Sequence, residues 1–211
     1  MPDIYWMSGS PCAGKTTISE IIGQEFSWQI YQIDRHFETY VKRANEKQHP
    51  YLTAYKKIGL KDFLLQDPSE QLSQVIGISK EQFQFIQEDI AELSEDAPIL
   101  VEGSNILASD VTKVVKSSSH CIWLVPTEAF QLETYPKRGW WVQDVLRHHY
   151  EPEEAVLAFE RWMERDALMA KWTASEAQKY DIPVITVDGT VSLLDNAEIV
   201  MRHFGLLDVI L

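Results

Sequence analysis

The feature that most constrains this chain is Gly9-Ser10-Pro11-Cys12-Ala13-Gly14-Lys15-Thr16, which fits the phosphate-loop pattern G-x-x-x-x-G-K-[ST]. Ile4-Tyr5-Trp6-Met7 precedes it and reads as a short strand. Ile18, Ile21, Ile22 and Phe26 follow at helical spacing and form one apolar stripe. A loop held between a strand and a helix start presents unpaired backbone N–H groups and partial positive charge to an anion. Gly9 and Gly14 allow close approach of a polyphosphate. Ser10, Pro11, Cys12 and Ala13 complete the nucleotide cradle. Lys15 is expected to reach the β- and γ-phosphate oxygens, the Thr16 hydroxyl to ligate Mg²⁺, and Thr17 to touch the α-phosphate.

Five candidate strands, at residues 3–8, 28–33, 98–102, 120–125 and 182–187, alternate with helical stretches over 211 residues. That pattern predicts a single α/β domain spanning 1–211 around a parallel sheet. Ligands of such sheets bind beyond the carboxyl ends of the strands, so the residues after each strand carry the functional reading. Asp34 follows the second strand and is a candidate general base toward a substrate hydroxyl; its alternative role is to cap a helix at 35–44. Its neighbour Arg35 is a candidate clamp for an anionic substrate or an exposed surface residue. Glu102 ends the third strand, and a buried carboxylate beside a phosphate loop points to Mg²⁺. Asp188-Gly189 ends the fifth, where it would hold an adenine or simply turn the chain.

Two insertions are expected. Residues 41–97 predict helices, one starting at Asp67-Pro68 and another capped by Ser79, that cover the acceptor site, with Tyr40, Tyr51 and Tyr55 as candidate lining. Residues 127–180 predict a long helix from Pro152 and, centred on Tyr135 to Trp141 with Arg138 in it, either a lid or a surface turn with two packed indoles. On that helix Arg161 and Arg165 are four apart and share a face, which suits an anion such as a triphosphate between them; the alternative is solvated helix charge paired with Glu160, Glu164 or Asp166. Val156, Phe159, Met163, Ala167, Ala170, Ala174 and Ala177 form its apolar stripe.

The net charge of −13 argues against a nucleic-acid groove and against an anionic membrane surface. Cys12 and Cys121 are expected to be free thiols, and a cytoplasmic location follows from the absence of a targeting or membrane-spanning pattern.

Together these residues resemble the P-loop small-molecule and nucleoside kinases, with uridine kinase and its relatives as the nearest pattern. Gly9 to Thr16 is similar to that group's phosphate loop. Asp34 to Phe37 is similar to its Asp-x-x-[Phe/Tyr] step, whose Asp is the base. Val101-Glu102-Gly103-Ser104 resembles its strand-three Glu-Gly, whose Glu assists Mg²⁺. Arg165-Asp166 resembles the Arg-Asp pair of its lid helix, although here no Arg-Gly follows. Asp188-Gly189 is similar to the adenine-side turn of shikimate, gluconate and adenylate-type kinases. The resemblance implies a three-layer fold with sheet order 2-3-1-4-5 and helices on both faces. It implies ATP and Mg²⁺ as cofactors and transfer to a hydroxyl of a small metabolite or nucleoside, in a monomer or homodimer. Charge stabilisation would fall to Lys15 with Arg138, Arg161 or Arg165. The competing expectation is a P-loop NTPase that acts as a nucleotide-dependent switch or binding module for a protein partner.

Overall fold

The computed structural model describes residues 2–93, 96–138 and 140–207. Nine α-helices and five strands alternate among them. The strands are β1 (Ile4–Gly9), β2 (Gln29–Gln32), β3 (Ile99–Glu102), β4 (Cys121–Pro126) and β5 (Val184–Val187), all parallel, in the order β2-β3-β1-β4-β5. The expected order and all five strand positions are therefore present. The central β3 and β4 are buried along their whole length, which is why Ile-Leu-Val and Ile-Trp-Leu-Val run on without polar interruption.

Side chains alternate across the sheet and divide the core in two. Trp6, Val101 and Trp123 face one layer, where they pack with Phe83 and Ile86. Met7, Leu100, Ile122 and Leu124 face the other, against Ile18, Ile22, Ala197 and Val200. The second layer is α1 (Lys15–Phe26) with α9 (Leu193–His203), the latter capped by Ser192, whose hydroxyl accepts from Asp195 N–H. The first layer is built from α4 (Pro68–Ala91) and α8 (Pro152–Lys179), with the short α5 (Ala108–Val111) beside them. A third apolar cluster lies off the sheet. In it Phe63 and Leu64 of α3 (Pro50–Leu64) and Val142 of α7 (Trp140–His149) meet Trp162 and Met163 of α8. The remaining helices are α2 (Phe37–Arg43) and α6 (Glu128–Thr134).

Two helix expectations change. Asp67 does cap α4, accepting from Ser69 N–H, but no second helix begins at Ser79. Ser79 sits inside α4, 1% exposed, and its hydroxyl donates back to the Val75 carbonyl 2.7 Å away. A serine can satisfy itself on the preceding turn as readily as it can cap, and burial here selects the former. On α8, Val156 is 58% exposed, so the buried stripe starts further along, at Ala158 and Trp162. No described helix is long and apolar enough to cross a membrane. Cys12 and Cys121 are free thiols.

Candidate active site

The register sets the site. Glu102 pairs laterally with Met7 of β1 and Gln32 of β2, so the chain leaves all three strands at one sheet edge. There the loop after β1 turns sharply. Gly9 has φ +142°, and a Cβ on it would run into the Leu124 carbonyl, while Ser10 N–H donates to that same carbonyl at 3.2 Å. Cys12 (φ +73°) and Gly14 (φ +82°) both adopt left-handed conformations, a backbone pattern that gathers successive N–H groups on one side. Gly14 is the N-cap of α1 and offers no side-chain cap, so the first-turn amides of the helix are left to a ligand.

Lys15 is 6% exposed; its Nζ donates to the Ser10 carbonyl (2.8 Å) and to Ser104 Oγ (3.1 Å). Burial pulls its pKa down, opposed by the negative charges of Glu102 and Asp34. Glu102 is 4% exposed, and burial pushes its pKa up. Lys15 opposes that shift, Asp34 adds to it, and the Thr16 hydroxyl holds the carboxyl on the lowering side. These mutual effects place Lys15, Asp34 and Glu102 in one electrostatic neighbourhood. Asp34 lies in a 3₁₀ turn, Ile33–Arg35, and does not cap α2, whose N-cap is His36. Its exposed carboxyl lines the same cleft as Lys15, Thr16 and Glu102.

The cleft has a volume of about 610 Å³, and the loop lines it from Pro11 to Thr17. Gly9 and Ser10 lie beneath the surface, fully buried, and shape the turn from below. The opposite wall comes from α8 and the turn after α6. Asp166 is 3% exposed and holds two partners: Tyr135 donates its hydroxyl to Oδ2 at 2.6 Å, and Arg165 donates Nε–H to Oδ1 at 2.7 Å. Burial first, then the Asp166 charge, drives the Tyr135 phenol well above its ordinary pKa. Tyr135 is therefore an anchor rather than part of an open lid. Arg138 stands over the Tyr135 ring at 5.6 Å, and its Nη1 lies 4.0 Å from Cys12 Sγ. Burial raises the Cys12 thiol pKa, and Arg138 counters it. Of the expected lid centre, Gly139 and the side chains of Trp140 and Trp141 lie outside the described residues.

Several expected residues are elsewhere. Arg161 points to the α3–α4 link, where it donates to the Leu65 carbonyl, and does not line the cleft. Asp188 folds onto its own turn, accepting from Thr190 N–H (2.9 Å) and Thr190 Oγ–H (2.6 Å). Neither it nor Gly189 lines the cleft. Arg35 is exposed and also outside it. Tyr40 is wholly buried in the core, Tyr51 packs over Gly77, and Tyr55 makes edge contacts with Phe37 and Phe63. None of the three lines the cleft. The lining instead includes Phe37, Val75, Ser104, Asn105, Trp162 and Met169. Ser104 and Asn105 come directly after β3, so the rule that ligands gather at strand ends applies to them as it did to Asp34. No sequence pattern singles out Val75, Trp162 or Met169.

No protein-family model and no curated protein matches the chain. Among solved structures, a shikimate kinase from Bacteroides thetaiotaomicron superposes with a TM-score of 0.54 at 11% identity, over 97% of this chain and 99% of that one. The chain has the fold of the P-loop kinases. An uncharacterized protein from Eubacterium ventriosum matches with a TM-score of 0.50 at 9% identity, covering 97% of this chain and 99% of its own. A deoxyadenosine kinase from M. mycoides with bound dATP has a TM-score of 0.49 at 17% identity, over 96% and 99% of the two chains. At such identities the likeness to P-loop kinases is one of fold, and the chemistry rests on this chain's own residues.

Proposed function

We propose that the chain is an ATP- and Mg²⁺-dependent phosphotransferase that moves the γ-phosphate to a hydroxyl of a small metabolite or nucleoside. One observation carries the reading: Lys15 at the start of α1, Asp34 in the turn after β2 and Glu102 at the end of β3 share one cleft with a left-handed phosphate-type loop.

The residues fit the groups this requires. A buried ammonium whose burial pulls its pKa down, and a buried carboxyl whose burial pushes its pKa up, are both relieved by ligands of opposite charge. Among the described residues no cluster of three or more His, Cys, Asp or Glu is placed to hold a metal by itself. Thr16 and Glu102 therefore suit Mg²⁺ held jointly with phosphate oxygens. When bound, the cation would neutralise charge building on those oxygens.

The remaining work falls to the chain. The loop N–H groups from Cys12 to Thr17 would seat the phosphates, and Lys15 would balance the charge that moves onto the β–γ bridge. Asp34 would accept the proton of the acceptor hydroxyl as its oxygen bonds to the γ-phosphorus and ADP leaves. Arg165, oriented by Asp166, and Arg138 line the cleft and would face the transferring phosphoryl group. Residues 41–97 would act as the acceptor cover, through Val75 of α4, and the turn carrying Arg138 as the movable part of a lid.

The test is ADP release from purified protein with ATP, Mg²⁺ and a panel of hydroxyl compounds, with Lys15→Ala as the blank. Asp34→Asn should bind ATP normally and transfer about 10²–10⁴-fold more slowly. Unchanged turnover in Asp34→Asn would remove that carboxylate from the chemistry. Steady hydrolysis indifferent to every acceptor would point instead to a nucleotide switch.

A further inference from the structure

The charge inventory of the cleft says what kind of acceptor it can take. Among the described residues lining it, the cations are Lys15, Arg138 and Arg165, and the carboxylates are Asp34, Glu102 and Asp166. The two sets are equal in number. Arg165 already donates to Asp166, and Lys15 sits in the field of Glu102 and Asp34. A nucleoside triphosphate is a polyanion, and even with a divalent cation it remains net negative. It would draw on all three cations. An acceptor carrying its own carboxylate or phosphate would then meet Asp34 and the triphosphate with no cation left among the described lining residues to receive it, and like charges brought together without compensation repel.

The rest of the lining agrees. Phe37 of α2, Val75 of α4, and Trp162 and Met169 of α8 give the cleft apolar and aromatic walls from three helices. Asn105 adds an uncharged polar side chain. The backbone beneath it is held by Gln82, 2% exposed, whose Nε2 donates to the Asn105 backbone carbonyl at 2.8 Å. A carboxamide both donates and accepts, and suits neutral hydroxyl or amide groups. The cation that sequence proximity would assign to an anionic acceptor, Arg35, is exposed and outside the cleft.

Building on the phosphotransfer reading above, we propose that the acceptor is an uncharged hydroxyl compound carrying an apolar or aromatic ring, and that carboxylate- and phosphate-bearing acceptors are rejected.

Matched pairs test this. Purified full-length protein is assayed for ADP release with ATP–Mg²⁺ against uridine and orotidine, and against methyl shikimate and shikimate. Each pair differs by one carboxylate and keeps its hydroxyls. Ribose serves as the acceptor without an apolar ring. The neutral member should exceed its anionic partner by about 100-fold in kcat/KM, and uridine should exceed ribose. Equal or better turnover of the anionic members overturns the proposal. So does the absence of turnover in every compound, together with no acceptor-dependent rise in Tm of the ADP–Mg²⁺ complex. Failure of the phosphotransfer reading looks different: either ATP–Mg²⁺ raises the Tm of the native protein no more than that of Lys15→Ala, or ADP is released steadily at one rate whatever compound is added, and the acceptor class then falls with that reading. Val75→Arg adds the missing cation and should shift the pairwise ratio toward the anionic member by about 10-fold or more, with Asn105→Lys as the second variant if the first does not fold. A folded variant with an unchanged ratio places the acceptor away from this wall and overturns the proposal.

Discussion

Asp166 is the place where stability and the cleft meet. Its carboxylate is 3% exposed and receives both the Tyr135 hydroxyl at 2.6 Å and Arg165 Nε–H at 2.7 Å. The Arg165 side chain is itself only 12% exposed. Replacing Asp166 by Ala removes a hydrogen bond to a charged acceptor, worth about 1.5–3 kcal/mol. It also leaves a largely buried guanidinium without its counter-charge, and breaking a buried pair from one side costs about 3–5 kcal/mol in all. Against a total stability of about 5–15 kcal/mol, that is a substantial fraction. With a urea m-value near 2 kcal/mol/M, the midpoint should fall by about 1.5–2.5 M. Tyr135→Phe should cost about 1.5–3 kcal/mol alone and much less in the Asp166→Ala background, because the same bond is lost only once. Urea unfolding of the two single variants and the double variant measures this. A loss under about 1 kcal/mol in Asp166→Ala, or strict additivity with Tyr135→Phe, would refute the view that this carboxylate holds α8 to the turn after α6.

Gly9→Ala should destabilise the fold by at least about 1–3 kcal/mol, because its Cβ meets the Leu124 carbonyl at a backbone angle that L-residues rarely take; a thermal melt reads it. Glu102→Gln should gain on the native protein as pH rises. The folded carboxyl has a raised pKa, so from the unfolded value near 4.5 upward the unfolded chain sheds this proton first, and native stability is lost through that window while the glutamine variant is spared. Equal pH slopes of stability between pH 4 and 7 would contradict it. Cys12 should react more slowly with a thiol reagent at neutral pH than a free cysteine does, since burial raises its pKa, and ATP should slow it further by covering the loop.

Much of the frame is visible along the chain. Strands β3 and β4 lie buried on both faces, so they appear as unbroken apolar runs, and the phosphate loop declares itself because Gly9 and Gly14 occupy left-handed backbone positions between a strand and a helix. Lys15 could be picked out from the loop pattern itself, and Asp34 and Glu102 because each follows or ends a strand, and parallel strands deliver their ends to one edge. Ser79 shows the limit, since a hydroxyl near a helical stretch fits a cap and an internal turn equally, and only its burial inside α4 separates the two. Arg161 and Arg165 are indistinguishable as helix neighbours. Which one faces the cleft depends on where α8 meets the end of α3, and Arg161 finds the Leu65 carbonyl 96 positions away.

Periodicity, strand ends and glycine positions are conditions on neighbouring residues, so the order of amino acids is enough to settle them. The walls of the cleft, the burial of Tyr135 beneath Asp166, and the balance of three cations against three carboxylates among the described lining residues depend on groups brought together from distant positions. Those distances exist only once the helices have packed, and packing is decided by the fit of whole surfaces rather than by any local run of sequence.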